Sequence, residues 1–173
     1  LQTLHDWLRW AVSRMHQGGV YFGHGTDNAW DEAAVMLSHV LYLPPLRDEK
    51  LFSVRLTLDE KQQFVALLQQ RITQRIPAAY LTQQAYFCDL PFYVDERVLI
   101  PRSPIGELIK QQFQGLLPAG SSPAHILDLC TGSGCIAIAC AVAFPEAQVD
   151  AVDISEDALA VCELNIAEHQ LQE

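Results

Sequence analysis

Asp128, the run Thr131-Gly132-Ser133-Gly134 and Asp153 are the residues whose types and spacing could do chemistry. Gly132-Ser133-Gly134-Cys135-Ile136-Ala137 fits the pattern G-x-G-x-x-G/A, in which glycines let a backbone turn sharply and approach a ligand closely. Asp153 follows Gly134 by 19 residues, where an acid closing the next strand can accept hydrogen bonds from both hydroxyls of a ribose. Together they point to an adenine-nucleoside ligand; a glycine-rich turn beside a surface Asp is the plainer alternative. Asp128 discriminates between ligands. It stands four residues before the first glycine, and a carboxylate there repels a pyrophosphate, with no Lys or Arg in the neighbouring sequence to compensate. S-adenosylmethionine has no phosphate and carries a sulfonium and an ammonium against one carboxylate, so Asp128 attracts it and disfavours NAD. The competing role, in which Asp128 caps the amides of the turn, stays open.

The elements that must position these residues are legible around them. His125 to Cys130 reads as a short buried strand, Cys135 to Phe144 as a helix of small and apolar residues ended by Pro145, and Gln148 to Ile154 as a second strand. Ser155 then caps a helix whose first turn holds Glu156 and Asp157, where the macrodipole favours acids. This β-α-β-α order opens a parallel, doubly wound sheet, so the predicted class is α/β. Residues 1–76 read as a helical bundle. One helix carries Leu4, Trp7, Leu8, Ala11 and Val12 and stops at Gly18-Gly19; a second starts near Thr26 or Asp27 and ends by Pro44-Pro45. A third begins at the capping box Thr57-Leu58-Asp59-Glu60 and ends before Pro77. Residues 77–104 read as a β-hairpin linker, with strand formers from Tyr86 to Ile100, and residues 105–173 as a partial cofactor-binding domain that opens on a helix from Ile105 to Leu117.

Composition narrows the function classes. Half the residues are hydrophobic and 18% are charged, a globular balance. No apolar run approaches the roughly 18–20 residues that cross a bilayer, so no membrane partner is expected. The chain opens Leu1-Gln2-Thr3 with no basic segment before an apolar run, so no signal peptide is expected either. Residues 111–173 hold nine acids and no Lys or Arg, a poor match to a nucleic-acid backbone and a better one to a basic protein. Five Cys (88, 130, 135, 140 and 162) without a Cys-x-x-Cys indicate neither a disulfide framework nor a zinc site, and the expected compartment is the cytosol.

Asp128-Leu-Cys-Thr-Gly-Ser-Gly-Cys135 resembles the first cofactor motif of class I S-adenosylmethionine-dependent methyltransferases, and Ala151-Val-Asp-Ile-Ser155 resembles their second. Arg75-Ile-Pro-Ala-Ala-Tyr80-Leu81, with Phe92-Tyr-Val-Asp-Glu-Arg-Val-Leu-Ile-Pro101-Arg102, behind a helical module, resembles the HemK/PrmB-type protein-(glutamine-N5) methyltransferases. Where the release-factor branch continues Pro-Glu-Thr-Glu, this chain has Ser103-Pro-Ile-Gly-Glu107, the form of the PrmB branch that methylates the third large-subunit ribosomal protein. The resemblance covers nearly the whole chain. It implies a Rossmann-like sheet, S-adenosylmethionine as cofactor and a ribosomal protein of the large subunit as substrate, docked by the helical module. It also implies that Thr131, Gly132, Ser133 and Gly134 cradle the methionine end of the cofactor with Asp128 nearby, and that Asp153 holds the ribose. Arg102 and Glu107 are implied near the methionine end, an interdomain salt bridge or a helix cap being the equal alternative for both.

The family's substrate motif, Asn-Pro-Pro-Tyr, does not occur here. The chain is therefore expected to be an N-terminal fragment with an incomplete sheet and no catalytic residue of its own, inactive as it stands. A release-factor glutamine methyltransferase, a nucleic-acid adenine methyltransferase, an NAD-binding oxidoreductase fragment and a non-enzymatic binding module remain as alternatives.

Overall fold

The computed structural model describes residues 1–46, 48–118 and 120–171. The chain divides into two compact units, Leu1–Thr82 and Gln83–Glu173. Ala78–Thr82 lies in the first unit and the hairpin in the second.

In the first unit α1 (Leu4–Gln17), α2 (Ala29–Val40) and α3 (Leu58–Thr73) pack around one core, followed by the short α4 (Ala78–Thr82), which had no sequence expectation. Leu8, Ala11 and Met15 form the buried stripe of α1 and meet Met36 and Leu37 of α2 and Phe64 of α3, none with exposed surface. Each large apolar side chain so buried contributes about 1.5–3 kcal/mol relative to exposure. The Thr57–Glu60 capping box forms as expected, with the Thr57 N–H donating to Glu60 Oε2 at 2.6 Å and the Glu60 N–H to Thr57 Oγ1 at 3.3 Å. A second capping box, Thr3 with Asp6, starts α1. The cap of α2 is Asn28 rather than Thr26 or Asp27; Thr26 instead donates to the buried Glu32 at 3.0 Å. Glu32 is paired with the buried Arg71 of α3, whose second arm reaches the Tyr21 carbonyl at 2.7 Å, so both charges are satisfied. Arg75, of the motif Arg75-Ile-Pro, donates to the carbonyls of Gly18 and Gly19 at 2.8 and 3.1 Å and closes the end of α1.

In the second unit β1 (Gln84–Phe87) and β2 (Leu90–Tyr93) make an antiparallel hairpin. Its turn is Cys88-Asp89, both at positive φ, the geometry that matches the twist of paired strands. Strand structure ends at Tyr93, earlier than the strand formers up to Ile100 suggest. Asp95 accepts from the Arg97 N–H at 3.0 Å and its carbonyl from the Val98 N–H, so the chain turns, and Val98 and Ile100 are buried outside any strand. α5 covers only Ile105–Lys110. Beyond it Gln112 and Phe113 take left-handed φ and Phe113 stacks on Phe144, a tertiary contact that overrides the expected continuation to Leu117.

β3 (His125–Leu129) and β4 (Gln148–Val152) pair in parallel from His125↔Gln148 to Leu129↔Val152, joined by α6 (Cys135–Ala143), and α7 (Glu156–Glu168) follows. The α/β expectation is met, and Ser155 caps α7 by accepting from the Ala158 N–H at 3.2 Å. Leu127 and Leu129 of β3 are 58% and 66% exposed, an apolar face with no cover among the described residues.

Candidate functional site

The parallel pairing of β3 with β4 sets the ends of both strands side by side. The chain leaves β3 through Cys130, and the Thr131 N–H donates to the Val152 carbonyl at 3.0 Å, holding the start of the loop to the end of β4. The loop then reverses, with the Gly134 N–H returning to the Thr131 carbonyl at 3.0 Å, and Gly134 opens α6.

Gly134 has no side chain to cap α6, and Asp128 supplies the missing acceptor from within β3. Its Oδ2 takes the Ala137 N–H at 3.2 Å and the Thr131 hydroxyl at 2.7 Å, and the residue is only 9% exposed. Asp128 thus caps the first turn of α6, where the sequence leaves open a cap on the amides of the glycine turn. The carboxylate faces the positive end of a helix dipole, where a negative charge is stabilising. Asp153 stands just past β4. Its Oδ1 accepts from the Ser155 N–H at 3.0 Å and its Oδ2 from the Gly132 N–H at 2.9 Å. These amides, Ser155 foremost, hold its carboxyl below the ordinary range. Each oxygen keeps a lone pair for a further donor.

A cleft of about 480 Å³ opens over this loop, within the range of small-molecule and cofactor sites. It is lined by the segment from Arg97 to Ser103, by the glycine loop from Cys130 to Ser133, and by Asp153 and Ser155. Of the sequence candidates, Thr131, Gly132, Ser133, Asp153 and Arg102 line it together. Asp128 is buried beneath the loop and Gly134 faces α7, where an added Cβ would meet Cys162 Sγ at 2.6 Å. Glu107 is exposed on the first turn of α5 and is not among the cleft-lining residues.

The structure also brings to this cleft two cations that local sequence does not place there, Arg97 and Arg102. The sequence around the loop holds no Lys or Arg; these bases arrive from a segment distant in sequence, and Arg102 is the one that the resemblance implies near the methionine end. Arg97 is held by Asp95 through Nη2 at 2.6 Å and Nε at 2.9 Å, and the Tyr93 hydroxyl donates to the same carboxylate at 2.9 Å. The guanidinium is the leading cause that brings the Asp95 carboxyl down to about 2. A cleft lined by both Arg102 and an ionised Asp153 suits a ligand with both an anionic group and donor hydroxyls.

Asn165, in α7, was not anticipated. It is fully buried and bonds to the backbone of Tyr93 and Ser133. A buried Asn inside a helix leaves only a faint mark in sequence, since Asn is a poor helix former that usually lies at the surface. Among the described residues no group of three His, Cys, Asp or Glu is placed to hold a metal ion, and no helix is long and apolar enough to cross a membrane.

Residues 113–173 match the family model described as Methyltransferase small domain. Over its whole length the chain is 49% identical to the ribosomal protein uL3 glutamine methyltransferase of Bordetella pertussis (strain Tohama I), and over 99% of it 48% identical to the protein of the same name from Burkholderia pseudomallei (strain K96243). It spans 58% and 56% of the lengths of these relatives.

Proposed function

We infer that this chain, whose residues 113–173 carry a methyltransferase domain, serves the S-adenosylmethionine-dependent methylation of a glutamine side-chain nitrogen in the large-subunit ribosomal protein uL3. The observation that carries this reading is the single cleft uniting the glycine loop, Asp153 and Arg102, in a chain 49% identical throughout to a uL3 glutamine methyltransferase. S-adenosylmethionine, when bound, supplies an electrophilic methyl group on a sulfonium.

The residues present fit such a group. Gly132 faces open space, with no atom within 4 Å of where a Cβ would stand, so a ligand can approach the loop backbone. Asp153 is pre-ionised and fixed by two amides, ready to accept from ribose hydroxyls, while Thr131 to Ser133 and Arg102 would hold the methionine end with its carboxylate. Asp128 keeps α6 and the loop in register beneath them, and its negative charge disfavours a pyrophosphate and suits a sulfonium. This chain's part is to bind and orient; positioning the methyl group against an amide nitrogen is where most of the rate gain of such a transfer arises. In the same reading the sheet is the start of a Rossmann-like fold, residues 1–76 dock the basic ribosomal protein, 77–104 link, 105–173 bind cofactor, and the protein works in the cytosol.

The test uses the full-length gene product with methyl-labelled S-adenosylmethionine and, in separate reactions, the purified ribosomal proteins of the large subunit, a peptide-chain release factor and ribosomal RNA. Label is expected on a uL3 glutamine, with Asp153→Ala weakening cofactor binding at least about tenfold, the scale of losing hydrogen bonds to a charged group. Label on a release factor or a nucleic acid would redirect the substrate assignment, and unchanged binding by Asp153→Ala would move the ribose elsewhere. Arg97 and Arg102 favour one second reading, a dinucleotide, and NAD competing at micromolar concentration in the same titration would support it.

A further inference from the structure

Asn165 sits in the middle of α7 with no exposed surface. Burying an amide is costly unless its polar atoms are paired, and here they are. Oδ1 accepts from the Tyr93 N–H at 2.7 Å, while Nδ2 donates to the Tyr93 carbonyl at 3.0 Å and to the Ser133 carbonyl at 2.8 Å. The partners fix the orientation, since turning the amide over would set oxygen against two carbonyls and nitrogen against an N–H. The position therefore requires two donors and one acceptor on a short side chain. Asp at neutral pH lacks the donors, and Gln is a methylene too long.

The two segments clasped by this amide lead to two of the segments that line the cleft. Ser133 belongs to the glycine loop, and the next peptide N–H, that of Gly134, is held by the Thr131 carbonyl, so the Ser133–Gly134 peptide is fixed at both ends. Tyr93 leads through its hydroxyl to Asp95, and Asp95 to Arg97 in the other lining segment. We propose that Asn165 is the positioning residue of the cofactor cleft, setting the spacing between the glycine loop and the Arg97–Ser103 segment and the direction of the Ser133 peptide. This rests on the cofactor reading above. Asn165 is not among the residues lining the cleft and acts through those that are.

The test is calorimetric titration of S-adenosylmethionine into full-length wild type, Asn165→Asp and Asn165→Ser, well below each melting temperature. Both variants should bind about tenfold or more weakly with wild-type stoichiometry, as expected for unpairing a buried carbonyl. In turnover, the cofactor KM should rise about tenfold or more, in step with the loss of affinity. A residue that only stabilised the fold would lower the stoichiometry and leave the Kd of the remaining molecules unchanged; that result, or wild-type affinity at full stoichiometry, overturns the proposal. Should neither variant fold, hydrogen exchange of the wild type decides. Cofactor should slow exchange at Tyr93 and Val94 together with Thr131 to Gly134, and slowing confined to the glycine loop overturns the proposal. If the wild type itself fails to bind S-adenosylmethionine, the failure belongs to the cofactor reading, and the Asn165 assignment falls with it.

Discussion

Asp95 gathers the Arg97 guanidinium, the Arg97 N–H and the Tyr93 hydroxyl on one carboxylate. The guanidinium is about one-third exposed, so water screens much of the attraction, yet the direction of its effect on titration is clear. Asp95 titrates at about 2, below the roughly 3.9 of an unfolded chain. A depressed carboxyl contributes stability above its unfolded value and loses it as pH falls toward the folded one, so this contribution should fade between about pH 4 and pH 2. Arg97→Ala should return the Asp95 midpoint toward about 3.9, read by carbon-13 carboxylate titration, and remove that part of the acid dependence. A midpoint that stays near 2 would assign the shift to Tyr93 and the backbone instead. At this scale sequence was informative where a residue's role is set by near neighbours, as for the cap Thr57. It was silent on Asn165, whose partners Tyr93 and Ser133 are brought to it by folding.

The turn between β3 and α6 shows what two glycines of one motif do differently. Gly134 has φ +80°, and a Cβ there would stand 2.6 Å from Cys162 Sγ of α7, so Gly134→Ala incurs both backbone strain and overpacking. The combined loss should be about 2–4 kcal/mol. Gly132 has φ +57° with nothing within 4 Å, so Gly132→Ala should lose only the strain, about 1 kcal/mol. Urea melts measure both, and Cys162→Ala placed in the Gly134→Ala background should recover the packing part alone; equal losses for the two alanines would leave the strain as the whole effect. Helix starts were legible because caps are local chemistry: Thr57 and Ser155 fall where expected, and Asn28 lies within two residues of the expected start. Helix α5 and the segment after Tyr93 were not, because Phe113 leaves its helix to stack on Phe144, and Asp95 turns a chain whose apolar residues read equally well as strand.

The two units differ in how completely they cover their own apolar surface. The first closes three helices over Leu8, Met15, Met36, Leu37 and Phe64. The second pairs two parallel strands, an arrangement normally covered on both faces, and leaves Leu127 and Leu129 mostly exposed. The second should therefore open at lower denaturant than the first. The chain carries separate reporters for that comparison. Trp7, Trp10 and Trp30, its three tryptophans, all lie in the first unit, and its five cysteines all lie in the second. Burial pushes the thiols of Cys135 and Cys140 up to about 11 and raises that of Cys162, whereas Cys130 is exposed. A thiol reagent at pH 8 should modify Cys130 at once and reach the three buried thiols only as their unit opens, at a urea concentration below that of the indole red shift. Coincidence of the two signals would mean that the chain melts as one. Fluorescence and thiol chemistry can thus follow the two halves in a single cuvette, each blind to the other, with no label added.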